Sequence, residues 1–163
     1  MQAGADSDRR LLAAGAFPAP VSGRIADGAH RLAVRVYFED TDLSGVVYHA
    51  NYLRFMERGR SDLLQVLGID QRAAHEAGDG VYVVADLQIR YLRPARLNDD
   101  LLVETRCRAL GAAQVSMGQR ILRGAEVLIE AQVRAGFLTP EGRPRRQPAD
   151  WMQKFRTMLP ADS

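Results

Sequence analysis

Three carboxylates lie within four residues in the run Glu39-Asp40-Thr41-Asp42, and His49 follows a short distance downstream. A carboxylate can act as a nucleophile or a general base, and a histidine can transfer a proton or orient a substrate. The same residue types could instead form a cation site, or a turn in which aspartates accept hydrogen bonds from backbone N–H groups. The surrounding sequence distinguishes between these interpretations.

A metal site receives little support from the sequence. The run from Asp40 to Gly45 matches the first half of a calcium-binding loop, but Asn51 occupies the twelfth position, where such loops carry a bidentate carboxylate. A strand rather than a helix is also predicted to enter the loop. His30 and His75 fall in predicted loops without the spacing of metal ligands, so we expect no bound metal.

The other candidate nucleophiles are also weak. Ser44 and Ser61 lack the strand–turn–helix context of a nucleophile elbow, so a Ser/His/Asp triad is not supported. Cys107, the single cysteine, alternates with apolar residues in a predicted strand and is expected to be a small core residue. The aspartates therefore remain the main candidates for chemistry.

The acidic run lies between a predicted strand and a predicted helix. Val34 to Phe38 alternates in the period of a half-buried strand, and after Asn51 apolar residues recur at helical intervals as far as Leu67. Gly68 is the predicted helix stop. The free N–H groups and the positive dipole end of this helix would then lie close to the carboxylates. Such an arrangement can stabilise charge that develops on a polarised carbonyl.

Four further strands are predicted from alternating residues, and the region between Ile69 and Gly80 is predicted to be a polar turn. The strands cover Val83 to Tyr91, Leu101 to Cys107, Val115 to Ile121 and Val127 to Phe137. Short connections predict an antiparallel four-stranded meander. The expected fold class is α+β, with an antiparallel five-stranded sheet wrapped around one long central helix.

Three segments are predicted along the chain: a disordered extension over residues 1–30, a domain over 31–141, and a Pro- and Arg-rich tail over 142–163 that carries a short amphipathic helix. Whether this helix packs on the domain or on a partner is left open. Ser7-Asp8-Arg9-Arg10 superficially resembles the start of a twin-arginine export signal, but the apolar segment after it is short and ends at Pro18, which favours a disordered extension.

Composition excludes several classes of protein. No uncharged apolar run approaches the ~20 residues of a membrane span, and one cysteine permits no internal disulfide and fits a reducing compartment. The net charge is +2, and the arginines are scattered without the aromatic residues of a nucleic-acid-binding surface.

Longer runs of residues resemble one known family. Tyr37 to Asp42, Gly45 to Tyr52 and Glu57 to Arg60 are similar to the signature of hotdog-fold acyl-CoA thioesterases, specifically the 4-hydroxybenzoyl-CoA thioesterase family and its Tol–Pal-associated subgroup. The runs Tyr91 to Leu97 and Gly142 to Arg145 fit the same subgroup. Relatives often carry tyrosine at the position of Phe38, so this chain lacks that hydroxyl.

The resemblance implies hydrolysis of acyl-CoA without a separate cofactor, because CoA is part of the substrate. It places catalysis on Asp42, acting as a nucleophile through a mixed anhydride or as a general base on water. His49 is implied as the next active-site residue, with its backbone N–H as the donor to the thioester oxygen. Substrate contacts are implied for Gly45, Val46, Val47, Tyr48 and Asn51.

The same resemblance implies a cytoplasmic homodimer or homotetramer, with an acyl carrier protein or the inner-membrane Tol–Pal system as a further partner. A non-catalytic acyl-binding or scaffold protein of the envelope or lipid-synthesis machinery is the alternative. A hotdog dehydratase is a weaker third alternative, because those enzymes place their acid and base differently. Intact Asp42, Gly45 and His49 favour the enzyme. The length and type of the acyl chain are not determined by the sequence.

Overall fold

The alternating apolar residues form six strands within residues 20–161, the part of the chain that the computed structural model describes. The strands are β1 (Arg24–Ala26), β2 (Ala29–Arg35), β3 (Val81–Tyr91), β4 (Asp100–Leu110), β5 (Gln114–Arg123) and β6 (Glu126–Leu138). They form one antiparallel sheet in the order β1-β2-β4-β5-β6-β3. The predicted α+β class is confirmed, and the sheet has six strands instead of five.

The additional strand comes from a hairpin near the beginning of the described chain. Asp27 and Gly28 have φ values of 51° and 66°, which suit a two-residue type I′ turn, and Ala26 pairs with Ala29 across it. The prediction of disorder through residue 30 is therefore wrong for residues 24–30. The rest of the predicted extension up to residue 19, including the twin-arginine-like run, lies outside the described residues.

The predicted meander is wrong at one point, because β3 pairs with β6 and not with the following strand β4. The connection after β3 does not turn back along the sheet. It crosses the start of the central helix, where Ala95 accepts a hydrogen bond from the N–H of Val47 (2.9 Å) and donates one to the hydroxyl of Tyr52 (2.9 Å). β4 then pairs with β2, while β4, β5 and β6 do form a meander.

The central helix α1 (Asn51–Val66) confirms the helical periodicity and the predicted stop. Gly68 adopts φ +70° and donates to the carbonyl of Gln65 (2.9 Å), while Ile69 donates to the carbonyl of Leu64 (2.8 Å). These two bonds form a Schellman motif, in which glycine adopts the left-handed conformation at little steric cost.

α1 packs mainly on β2 and β4 and contributes to two apolar clusters. Its first half contributes Tyr52, Phe55 and Met56 to a first cluster. The other members of that cluster include Val34, Val36, Val103, Ile121 and Ile129. Its second half contributes Leu63 and Leu64 to a second cluster. The other members of that cluster include Cys107, Met117, Phe137, Trp151, Phe155 and Met158. Cys107 is only 1% exposed, so its predicted place in the core is confirmed, and burial raises the pKa of its thiol to about 12.

Two short helices complete the domain. α2 (Gln71–Glu76) replaces part of the predicted polar turn, because the carboxylate of Asp70 caps it by accepting from the N–H of Ala73 at 2.9 Å. α3 (Ala149–Arg156) is the predicted C-terminal helix, and its buried Trp151 and Phe155 pack in the second cluster. Residues 142–156 are therefore part of the domain. No helix within residues 20–161 is long and apolar enough to cross a membrane.

Candidate active site

The acidic run begins in a short 3-10 turn, Phe38–Asp40, and not in the strand predicted as far as Phe38. The carboxylate Oδ2 of Asp40 accepts a hydrogen bond from the N–H of Tyr37 at 2.8 Å, and the Asp40 N–H donates to the Tyr37 carbonyl at 3.0 Å. Local bonds between an aspartate and its own backbone compete with pairing in a sheet. This competition explains why β2 already ends at Arg35.

Asp40 is a buried structural carboxylate. It is 8% exposed, and its second oxygen, Oδ1, accepts from the side-chain amide of Asn51 at 2.7 Å. Its backbone carbonyl accepts from the N–H of Tyr48 at 2.9 Å. Because both carboxylate oxygens are already bonded, Asp40 is poorly placed to attack a substrate.

Asp42 lies in a different environment, with an exposed side chain. Its Oδ1 accepts from the N–H of Ser44 at 2.8 Å and from the Ser44 hydroxyl, while no side chain or N–H within residues 20–161 donates to Oδ2. The bond from the Ser44 hydroxyl, then that from its N–H, and a weaker attraction to His49 lower the pKa of Asp42 below its ordinary value. Asp42 is therefore ionised at neutral pH, as a nucleophile or a general base requires.

A tight turn returns the chain from Asp42 towards the helix. The N–H of Gly45 donates to the carbonyl of Asp42 at 3.0 Å, and Gly45 has φ +77°, a conformation that glycine adopts readily. The Asp42 N–H then donates to the Val46 carbonyl at 3.1 Å, and Val47 forms a bridge with Thr41. These bonds fix the position of the carboxylate-bearing turn relative to the start of α1.

A second turn, from Tyr48 to Asn51, leads into α1. The N–H of Asn51 donates to the carbonyl of Tyr48 at 2.8 Å, so that carbonyl points towards the helix. In a trans peptide the following N–H, that of His49, points the opposite way. Within residues 20–161 no acceptor bonds this N–H, which leaves it available to a ligand. His49 precedes Asn51, the first helical residue, by two positions.

The carbonyl of His49 accepts a hydrogen bond from the last residue of β3, Tyr91. The Tyr91 hydroxyl donates to it at 3.0 Å, and the Tyr91 ring lies edge-on to the rings of His49 and Tyr52, with centroids 6.3 Å and 5.9 Å away. These residues line a cleft of about 300 Å³ together with Val47, Leu92, Arg93 and Pro94. Asp42 lines a separate, open cleft of about 670 Å³ with Phe38, Thr41, Leu43, Gly45 and Leu97.

The residues predicted to contact substrate occupy different environments. Gly45 and Tyr48 are exposed, and Tyr48 packs edge-on to His49 with a centroid distance of 4.6 Å. Val46 is half-buried and bridges Arg96, so its backbone is engaged in the loop. The side chain of Val47 is buried, and the amide of Asn51 is bonded to Asp40.

The roles that three residues play in this site were not predicted from the sequence. Tyr91 reaches the turn from 42 positions away, so no local pattern indicates it. Ser44 lies two positions after Asp42, and an Asp-x-Ser run of this kind is a known signal for a side chain that bonds the backbone ahead of it. The anchoring role of Asp40 depends on Asn51, which becomes its neighbour only once the helix forms.

Comparison with known proteins identifies the family. A model of the thioesterase superfamily matches residues 44–130, more than half of the chain. The chain belongs to the thioesterase superfamily. Its predicted hotdog fold and its assignment to a thioester-hydrolysing family are thereby confirmed.

Individual members of the thioesterase superfamily match over most of their length. Acyl-CoA thioesterase YbgC of Haemophilus influenzae is 41% identical over 108 residues, which is 66% of this chain and 79% of that protein. Acyl-CoA thioester hydrolase YbgC of Escherichia coli O157:H7 is 36% identical over 128 residues, 77% of this chain and 95% of that protein. A probable thioesterase from Bartonella henselae has a crystal structure that superposes with a TM-score of 0.70 at 41% identity, covering 74% of this chain and 99% of that one.

Proposed function

We propose that the protein hydrolyses the thioester of acyl-CoA to the free acid and CoA, with Asp42 as the reacting carboxylate. The observation that carries the proposal is the contrast between the two aspartates. Asp40 is buried and fully bonded, whereas Asp42 is exposed, has a lowered pKa and keeps one oxygen free of donors from residues 20–161. The names of the relatives supply the substrate class, since two of them are acyl-CoA thioester hydrolases.

Two routes use the same groups. As a general base, Asp42 takes a proton from water, and the resulting hydroxide adds to the thioester carbonyl carbon. As a nucleophile, Asp42 adds to that carbon itself, and water later hydrolyses the mixed anhydride. In both routes the carbonyl oxygen becomes an oxyanion, the C–S bond breaks, and the thiolate leaves without strong protonation because thiol pKa values lie near 8.5. CoA leaves as product, so the reaction needs no separate cofactor.

The turn at the start of α1 is the proposed oxyanion site. The outward N–H of His49 and the positive end of the α1 dipole would stabilise the charge that develops on the thioester oxygen. The exposed backbone of Gly45 and the side chain of Tyr48 would border the acyl-CoA, and Val46 and Val47 would support that edge. Asn51 would contribute through its position at the helix start, because its amide is already bonded to Asp40.

The test of the proposed function is Asp42→Asn assayed with a panel of acyl-CoAs, aliphatic ones of graded length and aromatic ones. The substitution keeps the shape of the side chain and removes its charge, so kcat should fall by about two orders of magnitude or more with the circular dichroism spectrum unchanged. Glu39→Gln is the matched control, because it neutralises an exposed carboxylate of the same run. Near wild-type turnover in Asp42→Asn would refute the assignment.

His49→Ala separates the ring of His49 from its backbone. No side-chain change removes the N–H donor, so kcat should fall by only about ten- to a hundredfold, less than in Asp42→Asn. If the imidazole were the base, both variants would be equally inactive and the acidic limb of kcat/KM would titrate near ~6.5. A wild-type protein that binds acyl-CoA but hydrolyses none of the panel would favour the acyl-binding or scaffold alternative.

The proposed assembly is a cytoplasmic homodimer or homotetramer that pairs through β3. Within residues 20–161 this strand of 11 residues pairs only with β6, so its other edge is open, and an open edge of this length favours pairing with a second copy. Light scattering should give a multiple of 18.0 kDa, and a monomer at micromolar concentration would contradict the assembly. An acyl carrier protein or the Tol–Pal system remains the proposed further partner, testable by purification of the tagged protein from its own cells.

A further inference from the structure

We propose that Asp40 is a positioning residue that holds the oxyanion turn at a fixed place relative to Asp42, an inference that rests on the proposed function. Asp40 itself has no free carboxylate oxygen with which to touch substrate. Its contribution would be geometric and would act through the residues that it bonds.

Hydrogen bonds from three segments of the chain converge on Asp40. Its carboxylate accepts from the N–H of Tyr37 at 2.8 Å and from the amide of Asn51 at 2.7 Å, and its carbonyl accepts from the N–H of Tyr48 at 2.9 Å. One residue therefore connects the chain just after β2, the beginning of the oxyanion turn and the first residue of α1. We call this set of bonds the Asp40 clasp.

The Asp40 clasp joins the segments that carry the two proposed catalytic groups, Asp42 and the N–H of His49. Asp42 follows Asp40 by two residues, so fixing Asp40 fixes the start of the carboxylate-bearing turn. Tyr48 and Asn51 are the two ends of the turn that carries the N–H of His49, and the clasp bonds both of them. Together with the Asp42–Val46 bond and the Thr41–Val47 bridge, the clasp would therefore fix the separation between the attacking carboxylate and the oxyanion donor.

The bond between the Asn51 amide and Asp40 depends on the carboxylate at position 40. The Asn51 amide donates to an anionic acceptor inside a buried pair, and charge-assisted hydrogen bonds of this kind are short and strongly directional. An amide at position 40 could accept from only one of the two donors, because its own NH₂ group would face the other. A misplacement of about 1 Å in an active site can cost about a hundredfold in rate even when the chemistry is intact.

The experiment compares Asp40→Asn, Asn51→Asp and the double swap Asp40→Asn/Asn51→Asp in the full chain. Asp40→Asn should lower kcat by about ten- to a hundredfold and change KM less than about threefold, with the acidic limb of kcat/KM unmoved because Asp42 is intact. In the double swap the amide at position 40 donates to the carboxylate at position 51, and its oxygen accepts from Tyr37. The swap should therefore restore kcat to within about threefold of wild type.

Asp70→Ala is the matched control for stability, since it removes the capping carboxylate of α2 beyond the far end of α1. It should lower the Tm without changing kcat. If Asp40→Asn likewise lowers only the Tm, or if a folded double swap shows no recovery of kcat, the positioning role is overturned. If Asp40→Asn does not fold, Asn51→Ala replaces it, because this variant removes a single bond of the clasp. Asn51→Ala must then reduce kcat with little change in KM.

The same data distinguish failure of this inference from failure of the proposed function. A wild-type protein that hydrolyses acyl-CoA, with an inactive Asp42→Asn and a fully active Asp40→Asn, refutes the clasp and leaves the proposed function standing. A wild-type protein without acyl-CoA hydrolase activity refutes both.

Discussion

Gly59→Ala should destabilise the protein, although alanine is the better helix former. Gly59 lies inside α1 against the sheet, and a Cβ atom at this position would come within 2.7 Å of Cγ1 of Val103. Val103 is fully buried and β-branched, so its side chain cannot rotate away freely. The helix and β4 would therefore have to separate to accommodate the new methyl group.

The expected magnitude follows from two opposing terms. The contact is about 1 Å shorter than the 3.5–4.0 Å optimum for two carbon atoms, and overpacking of a core costs about 1–3 kcal/mol. Replacing glycine by alanine inside a helix contributes about 1 kcal/mol in the opposite direction. The free energy of unfolding should therefore decrease by about 0–2 kcal/mol, whereas the helix propensity alone predicts an increase.

Urea unfolding of a double-mutant cycle with Val103→Ala tests this reasoning. Val103→Ala alone should cost about 2 kcal/mol, because it leaves a small cavity. The methyl group at position 59 would fill part of that cavity, so the double variant should be more stable than the sum of the single effects by about 1 kcal/mol or more. A Gly59→Ala variant more stable than wild type, or single effects that add within about 0.5 kcal/mol, would refute the steric explanation.

Three further substitutions follow from the site and its support. Ser44→Ala removes the hydroxyl hydrogen bond that is the largest cause of the lowered pKa of Asp42, so that pKa should rise. The acidic limb of kcat/KM should then move to higher pH, and an unmoved limb would contradict this. Tyr91→Phe removes the hydrogen bond to the carbonyl of His49 and should lower kcat by about three- to tenfold at unchanged Tm, as measured by steady-state kinetics and calorimetry. Gln147→Leu leaves the half-buried Tyr82 hydroxyl and Gly111 carbonyl without their partner, the buried Gln147 amide, and should cost about 1–2 kcal/mol in urea unfolding; an unchanged midpoint would argue against that role.

Features that depend on nearby residues were predicted well from the sequence. The start of α1 and its stop at Gly68 follow from helical periodicity and from the need of a helix C-terminus for a left-handed residue. β3 to β6 follow from alternation along each strand. The β1–β2 hairpin was missed although Asp27-Gly28 carries its signal, because the strand before it is only three residues long.

Features that depend on contacts between distant residues could not be predicted from the sequence. The pairing of β3 with β6 follows from the path of the connection over α1, which no local pattern encodes. The two aspartates of the acidic run look alike in the sequence. They differ because the carboxylate of Asp40 accepts a hydrogen bond from Asn51 across the loop, whereas within residues 20–161 the carboxylate of Asp42 accepts hydrogen bonds only from Ser44. This difference in bonding underlies the proposed roles.

The burial of Cys107 has a practical consequence for experiments on this chain. It is the single thiol in the sequence, it is 1% exposed, and its burial raises the pKa of the thiol to about 12, so the reactive thiolate is scarce at neutral pH. A thiol-reactive probe should therefore modify the native protein only when the second apolar cluster opens. The rate of labelling would then report how often the core opens without any engineered reporter, and loosening of the contact between α1 and β4 should be detectable as faster labelling before any change in the spectrum of the folded state.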